Sequence, residues 1–539
     1  MVEELLKVEN LSIGFNVYVK GLRQNYLHVI SDLSLDVKKS EIVAVLGSSG
    51  SGKSLLADSI LGILPSNAVL NGDIYYKNKK ITQKDKKNLR GDEISLIPQS
   101  VNFLDPLMNI QEQAIGVTSD KDERELALAK QRVIFDKYGL SKDVDKLYPH
   151  QISGGMARKV LISTALLNNP NLIIADEPTP GLDKKSVDET INNLIQLKND
   201  KDVGMLVITH DIDTAIRISD RIAILYLGYV IEITDTKNFS GNGEKLYHPY
   251  TRALYRALPQ TNFELTQGKQ PSYSEIPPGC PYQTNCSYKT EECINNLPEL
   301  RDINGVKVRC FHPLNNTDKI SKQKEVCYPF IDSDDVSTLK ASNISFSYPN
   351  QDEILSNISF ELKQNKIVGL FGDSGSGKST LCKILAGYIS NYDGNVSLDN
   401  DNLNDKIDFN PIQLIFQHPE KVMNPKWKMD KILAESWMPD DDILNEFGIQ
   451  KSWFSRYPQE LSGGELQRFS VLRALNPKTK FLIADEMTTM LDAVTQVQIF
   501  DSVIKIVRER KIGFLVVSHD MNLLNRICDE IIFLEDLQN

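Results

Sequence analysis

The chain has 539 residues, too many for one hydrophobic core, which points to two or more domains. Hydrophobic residues at 41% and charged residues at 25% are ordinary for a globular protein and exclude a disordered or fibrous one. A formal net charge of −11 weighs against a broad nucleic-acid footprint, and no window approaches the roughly 20 apolar residues that cross a bilayer.

The N-terminal residues show no basic stretch followed by an apolar run, so no signal peptide is expected. The expectation is a cytosolic chain that meets a membrane only through a partner. An apolar run, IVAVL at 42–46, then leads into GSSGSGKS at 47–54. Gly47, Ser48, Ser49, Gly50, Ser51, Gly52, Lys53 and Ser54 fit G-x-x-x-x-G-K-[ST], in the strand-to-helix setting that a phosphate loop requires. Its glycines let backbone N–H groups turn around phosphates. Lys53 would reach the β- and γ-phosphates of ATP, and Ser54 would place a hydroxyl on Mg²⁺.

Further along, LIIADE at 172–177 reads as a buried strand that ends in two carboxylates, at the sheet edge where open α/β folds bind ligands. Asp176 is placed to hold Mg²⁺ through its water shell, and Glu177 to polarise the attacking water. Taken alone, such a pair is more often a solvated edge or a helix cap. Downstream of a phosphate loop, the catalytic reading is the stronger one.

The chain has seven cysteines, too few for a disulfide scaffold, and four of them fall between Cys280 and Cys310. Cys280, Cys286, Cys293 and Cys310 are spaced C-x5-C-x6-C-x16-C. Four thiolates suit an iron–sulfur cluster or zinc equally, while the lack of C-x2-C knuckles weighs against a zinc ribbon. Reduced thiols that merely pack are the plain alternative. Cys327, Cys382 and Cys528 stand apart and read as structural. A polar stretch from 315 follows, with the character of a linker.

After the linker the chain repeats itself. Residues 29–54 align without a gap with residues 354–379, an offset of 325. Gly372, Asp373, Ser374, Gly375, Ser376, Gly377, Lys378 and Ser379 form a second phosphate loop, and FLIADE at 481–486 supplies Asp485 and Glu486. ISGGM at 152 is echoed by LSGGE at 461, and VITHD at 207 by VVSHD at 516. Within each copy short apolar runs alternate with helical patterns, which predicts an α/β fold with a mainly parallel sheet. The expected division is a first nucleotide-binding domain over 1–257, a cysteine extension over 258–318, a linker over 319–335 and a second domain over 336–539.

The S-G-G strings just upstream of the Asp-Glu strands resemble the signature of ATP-binding cassette (ABC) ATPases, and the resemblance covers nearly the whole chain. It implies two P-loop cassettes in tandem, each with a helical subdomain. The cassettes would pair within one chain, so that each ATP is sandwiched between one phosphate loop and the other signature. Ser153, Gly154 and Gly155 would cap the nucleotide on Lys378; Ser462, Gly463 and Gly464 would cap that on Lys53. Gln99 and Gln417 resemble the Q-loop glutamine at Mg²⁺ and water. His210 and His519 resemble the γ-phosphate switch histidine, and Asp183 and Asp492 the D-loop aspartate. Tyr348 would stack on adenine in the second cassette, with Phe15, Tyr18 and Tyr26 left open for the first. Met487, Met156 and Glu465 depart from the usual pattern without removing a phosphate ligand or a catalytic carboxylate, so two hydrolysis-competent sites are expected.

LDP at 104, MNP at 423, YPHQISGGM at 148, YPQELSGGE at 457 and HPYTRAL at 248 look like patterns of dipeptide, oligopeptide and nickel importer ATPases. The cysteine region is similar to one that in some members holds a [4Fe–4S] cluster. The resemblance implies an ATPase on the cytoplasmic face of the cell membrane that powers uptake of peptides or glutathione. Its partners would be two separate permeases and, through them, an extracytoplasmic solute-binding protein. A nickel-chelate importer is the near alternative, and a soluble ATPase acting on ribosomes the distant one.

Overall fold

The computed structural model describes residues 4–19, 23–48, 50–116, 120–179, 182, 184–265, 276–315, 336–349, 352–373, 375–399, 401–402, 409–488 and 491–538. Ser49, Ser374, Asp183, Cys327 and the expected linker 319–335 lie outside the described residues. Packing divides the chain into two compact units, Met1–Arg252 with Gln270–Lys319, and Ala253–Lys269 with Ile320–Asn539.

The strands of the first unit are β1 (Glu4–Val19), β2 (Arg23–Lys38), β3 (Ile42–Gly47), β4 (Ala68–Tyr76), β5 (Lys79–Lys80), β6 (Ile94–Ile97), β7 (Leu172–Asp176), β8 (Gly204–Thr209), β9 (Arg221–Tyr226), β10 (Tyr229–Asp235), β11 (Arg301–Ile303) and β12 (Val306–Val308). They form an antiparallel sheet in the order β2-β1-β4-β5 and a larger one in the order β11-β12-β10-β9-β3-β8-β7-β6. Strand β3 pairs parallel with both β8 and β9, and β7 pairs parallel with β6 and β8. That position explains why β3, β7 and β8 are buried throughout: both faces of a central parallel strand are covered, so its sequence runs apolar without alternation. Helices Ile110–Ile115, Lys121–Lys137 and Gly154–Ala165 share a separate core around Ile110, Phe135, Val160 and Leu161, which is the expected helical subdomain. Burying a side chain the size of Phe135 is worth roughly 1.5–3 kcal/mol.

In the second unit, β13 (Thr338–Ser347), β14 (Glu353–Lys363), β15 (Ile367–Phe371), β16 (Asp393–Leu398), β17 (Asp401–Asn402), β18 (Ile412–Ile415), β19 (Phe481–Asp485), β20 (Gly513–Ser518) and β21 (Glu530–Phe533) repeat the plan. The sheets run β14-β13-β16-β17 and β18-β19-β20-β15-β21. A short helical subdomain, Met429–Ala434, Asp441–Glu446 and Gly463–Ala474, buries Phe447, Trp453 and Phe469. Among the described residues no helix is long and apolar enough to cross a membrane.

The cysteine segment is built onto the first unit's sheet. Strand β12 pairs antiparallel with β10, and β11 with β12. Arg309, 2% exposed, fastens this addition by donating to the carbonyls of Val230, Pro298 and Asp32 and to the Asp32 carboxylate. The segment therefore continues the cassette's sheet.

Candidate functional site

In each unit the phosphate loop lies between the buried β3 or β15 and a helix, Lys53–Leu61 or Lys378–Leu385. Gly52 and Gly377 start these helices at φ of 86° and 99°, in the left-handed region that glycine adopts freely. A Cβ at Gly377 would stand 2.7 Å from Ile354 and Leu355 side-chain carbons, so both backbone angle and space demand glycine. Lys53 Nζ donates to the carbonyls of Gly47 (2.8 Å) and Ser48 (2.9 Å), and Lys378 Nζ to those of Gly372 (2.7 Å) and Asp373 (2.6 Å). Both ammonium groups are buried over their own loops, where their charge is available to a phosphate. Ser51 and Ser376 hold buried hydroxyls without a hydrogen-bond partner.

The carboxylate pairs sit where the sequence puts them, at the ends of β7 and β19. Burial pushes the Asp176 and Asp485 carboxyls up, with the Ser54 and Ser379 hydroxyls pulling the other way; Ser379 donates to Asp485 Oδ1 at 3.0 Å. Asp176 Oδ1 and Glu177 Oε2 are buried and unpartnered. Carboxylate oxygens left bare in a buried site are costly, and a divalent cation is the group that relieves them. Ser54 with Asp176, and Ser379 with Asp485, therefore fit Mg²⁺, with substrate phosphates completing the shell.

Glu177 and Glu486 both adopt φ of 47°. Left-handed backbone at a non-glycine residue costs about 1–2 kcal/mol, and its recurrence at the same step of both sites ties the strain to the carboxylate's aim. His210 Nδ1 lies 2.8 Å from Glu177 Oε1, and His519 Nδ1 3.1 Å from Glu486 Oε1. Burial alone would lower the His210 pKa, but the bond to Glu177 and its charge raise it overall. The bond to Glu486 raises that of His519.

The two Q-loops differ. Gln417 Nε2 donates to Glu486 Oε2 at 3.0 Å, whereas the Gln99 side chain stands exposed. Ser153 and Ser462 cap the signature helices by accepting from Met156 N–H and Glu465 N–H. Glu465 accepts in return from Ser462 N–H at 2.7 Å, which gives this departure from the usual pattern a capping role. A Cβ added at Gly154, Gly155 or Gly463 would meet nothing within 4 Å, and one at Gly464 only side-chain carbons at 3.5–3.6 Å. Asp492 caps the helix Ala493–Glu509 through Thr495 N–H.

Strand register shows which of Phe15, Tyr18 and Tyr26 corresponds to Tyr348. Ile13 pairs with Ile30 and Leu11 with Leu33, as Phe346 pairs with Leu355 and Ile344 with Ile358. Ile30 and Leu33 align with Leu355 and Ile358, so two residues beyond Ile13 and Phe346, Phe15 aligns with Tyr348, which follows β13 directly. Tyr348 Oη lies 3.3 Å from Thr380 Oγ1, beside the phosphate-loop helix.

Cys280, Cys286, Cys293 and Cys310 all line one cavity, together with His248, Gln283 and His312. Burial pushes the Cys280 thiol up to about 11 and that of Cys310 to about 12, while main-chain N–H groups of Tyr282 and Gln283, and of His312, bond to these sulfurs and oppose the rise. Tyr288 N–H does the same for Cys286. His248 Nδ1 accepts from Tyr250 N–H at 3.0 Å, which leaves the ring proton on Nε2. That nitrogen is buried without a partner, as is Gln283 Nε2. Among the described residues no group of three or more His, Cys, Asp and Glu could hold a single metal ion. Arg158 and His248 were not singled out by sequence reasoning; the HPY string was the available signal for the latter.

Two phosphate loops, each facing a carboxylate pair and a histidine, define a nucleotide-binding ATPase of the P-loop class. The ABC transporter family model matches residues 30–180 and 355–489, and a model for the oligopeptide/dipeptide transporter C-terminal region matches 231–293. The chain belongs to the ABC transporter family, and it is an ATPase. It is 30% identical to the uncharacterized ABC transporter ATP-binding protein YejF of Escherichia coli, covering 99% of this chain and 94% of that one. It is 25% identical to the oligopeptide transport ATP-binding protein OppD of Mycobacterium tuberculosis, covering 98% and 93%. To the glutathione import ATP-binding protein GsiA of Escherichia coli it is 27% identical, covering 97% and 83%. Among solved structures, the archaeal ribosome recycling factor aABCE1, in complex with stalk protein aP1, matches with a TM-score of 0.56 at 17% identity over 96% of this chain and 87% of that one. At that identity the likeness is one of fold alone.

Proposed function

We propose that the chain is the ATP-hydrolysing subunit of an importer for peptides or glutathione, working at the cytoplasmic face of the membrane. Two separate permeases would be its direct partners, with an extracytoplasmic solute-binding protein beyond them. The observation that carries this reading is the combination of two cassettes with an oligopeptide/dipeptide transporter C-terminal region after the first. Exposed Phe103 and Leu107, shortly after Gln99, offer apolar surface for a permease contact.

In this reading the domains follow the division set out from the sequence, and each ATP is gripped by one cassette's loop and the other's signature. Lys53 and Lys378 turn from their own loop carbonyls to the substrate phosphates. Phe15 and Tyr348 stack on adenine. Ser54, Asp176 and Gln99, and Ser379, Asp485 and Gln417, hold Mg²⁺, which offsets charge on the transferring phosphoryl group. Glu177 and Glu486 orient the attacking water once His210 and His519 release them to contact the γ-phosphate. Cys280, Cys286, Cys293 and Cys310 would hold a [4Fe–4S] cluster, which would cross-link the extension, and the buried His248 Nε2–H and Gln283 Nε2–H would be available to it as donors.

The test is uptake of labelled dipeptides, longer peptides, glutathione and nickel chelates by cells that lack this chain, complemented with wild type or with the Glu177→Gln variant. Loss of peptide or glutathione uptake, restored only by wild type, is the expected result. Unchanged uptake of all four solutes, with the chain sedimenting with ribosomes and absent from membranes, would overturn the proposal.

A further inference from the structure

Arg158 lies one turn into the signature helix Gly154–Ala165 and is 4% exposed. Its guanidinium donates from Nη1 to Pro98 O at 2.6 Å and from Nη2 to Gln99 O at 2.7 Å. These carbonyls belong to the Q-loop, about sixty residues earlier in the chain. The charge of the Glu177 carboxylate also acts on Arg158. A buried guanidinium is tolerable only while its donors are met, and here main-chain oxygens meet them. If the Q-loop moved away from the signature helix, both bonds would break together and leave the cation bare.

The second cassette has Gln467 at the aligned position, 2% exposed, with its Nε2 buried and unpartnered. Among the described residues no hydrogen bond from Gln467 replaces the Arg158 pair, although Pro419–Val422 still packs on the signature helix Gly463–Ala474, and Gln417 reaches Glu486 by its side chain instead. We propose that Arg158 is a positioning residue that locks the Gln99 loop to the signature helix, so that in the first cassette these two parts move as one body, while the second, with Gln467 in its place, is held by packing alone and moves more freely. The two ATP sites are then mechanically unequal despite matching phosphate loops and carboxylates. The kinetic consequence rests on the proposed role of Gln99 at Mg²⁺ and water; the lock itself does not.

Hydrogen exchange of the full nucleotide-free chain, read by mass spectrometry, tests the lock without any substitution. Peptides over 97–104 should exchange at least tenfold more slowly than those over 415–422, and Arg158→Gln should remove that difference while peptides from β7 and β8 keep their rates. Arg158→Lys, which retains the charge but not the two-pronged geometry, should fall between. In steady state, Arg158→Gln should lower kcat about tenfold with KM for ATP changed less than twofold, because no phosphate contact is lost. Equal exchange in the two wild-type loops would overturn the proposal, as would a rise in exchange spread over the whole cassette, which marks a merely structural residue. If Gln99→Ala leaves kcat unchanged, the Q-loop reading fails; if it lowers kcat but Arg158→Gln leaves loop exchange unchanged, the lock fails.

Discussion

Replacing Glu177 by Gln removes one negative charge from the first site and little volume. The carboxylate is 5% exposed, with Oε1 facing His210 at 2.8 Å and Oε2 unpartnered. An amide can still bond to the imidazole, so folding and ATP binding should persist; no phosphate ligand is touched. What disappears is the base that orients and polarises water, a loss of about 10²- to 10⁴-fold, or roughly 3–5 kcal/mol of barrier. If the two sites fire independently, total turnover should fall by about half; if each must fire for the other to proceed, it should fall by the full factor. Steady-state ATPase of Glu177→Gln, Glu486→Gln and the double variant separates these cases, with nucleotide binding measured alongside. Wild-type turnover by Glu177→Gln, with ATP binding intact, would refute the assignment of this carboxylate.

Phe15→Ala should weaken ATP binding by about 1–3 kcal/mol, the usual worth of stacking a base on an aromatic ring, and Tyr348→Ala should do the same at the other site; fluorescent-nucleotide titration reads both. Cys310→Ser should abolish iron binding by the extension, and elemental analysis after anaerobic purification checks this against wild type. Glu232, fully buried, accepts from Tyr247 N–H and His248 N–H, and burial pushes its carboxyl from 4.5 up to about 7. A raised acid contributes stability that is complete below its unfolded pKa and lost as pH rises through the folded one. Relative to Glu232→Gln, wild type should therefore lose about 2–3 kcal/mol between pH 5 and pH 8, measured by denaturant unfolding at each pH.

The phosphate loops, the carboxylate strands and the duplication were legible because each is local. A glycine needed at φ of 86°, a lysine one step on and an unbroken apolar strand before them are fixed by neighbours within a dozen residues. Phe15 was one of three aromatic residues by spacing, because the first hairpin is longer than the second; only cross-strand register aligned it with Tyr348. Glu465 read as a departure from the usual signature, and its meaning emerged from a capping bond to Ser462.

Other features belong to the tertiary structure alone. Cysteine spacing raised the idea of a bound metal, but the four thiols come to one cavity only through the fold, with β12 paired to β10, β11 paired to β12, and Cys280 N–H bonded to Cys293 O. Arg309 reaches Asp32 and Arg158 reaches Gln99 across long stretches of chain. The sequence by itself determined which chemistry the chain carries, since phosphate and water chemistry need particular residues at short fixed intervals. The fold decided how that chemistry is held, because a buried cation or an orphaned N–H finds its partner only once distant segments have been packed together.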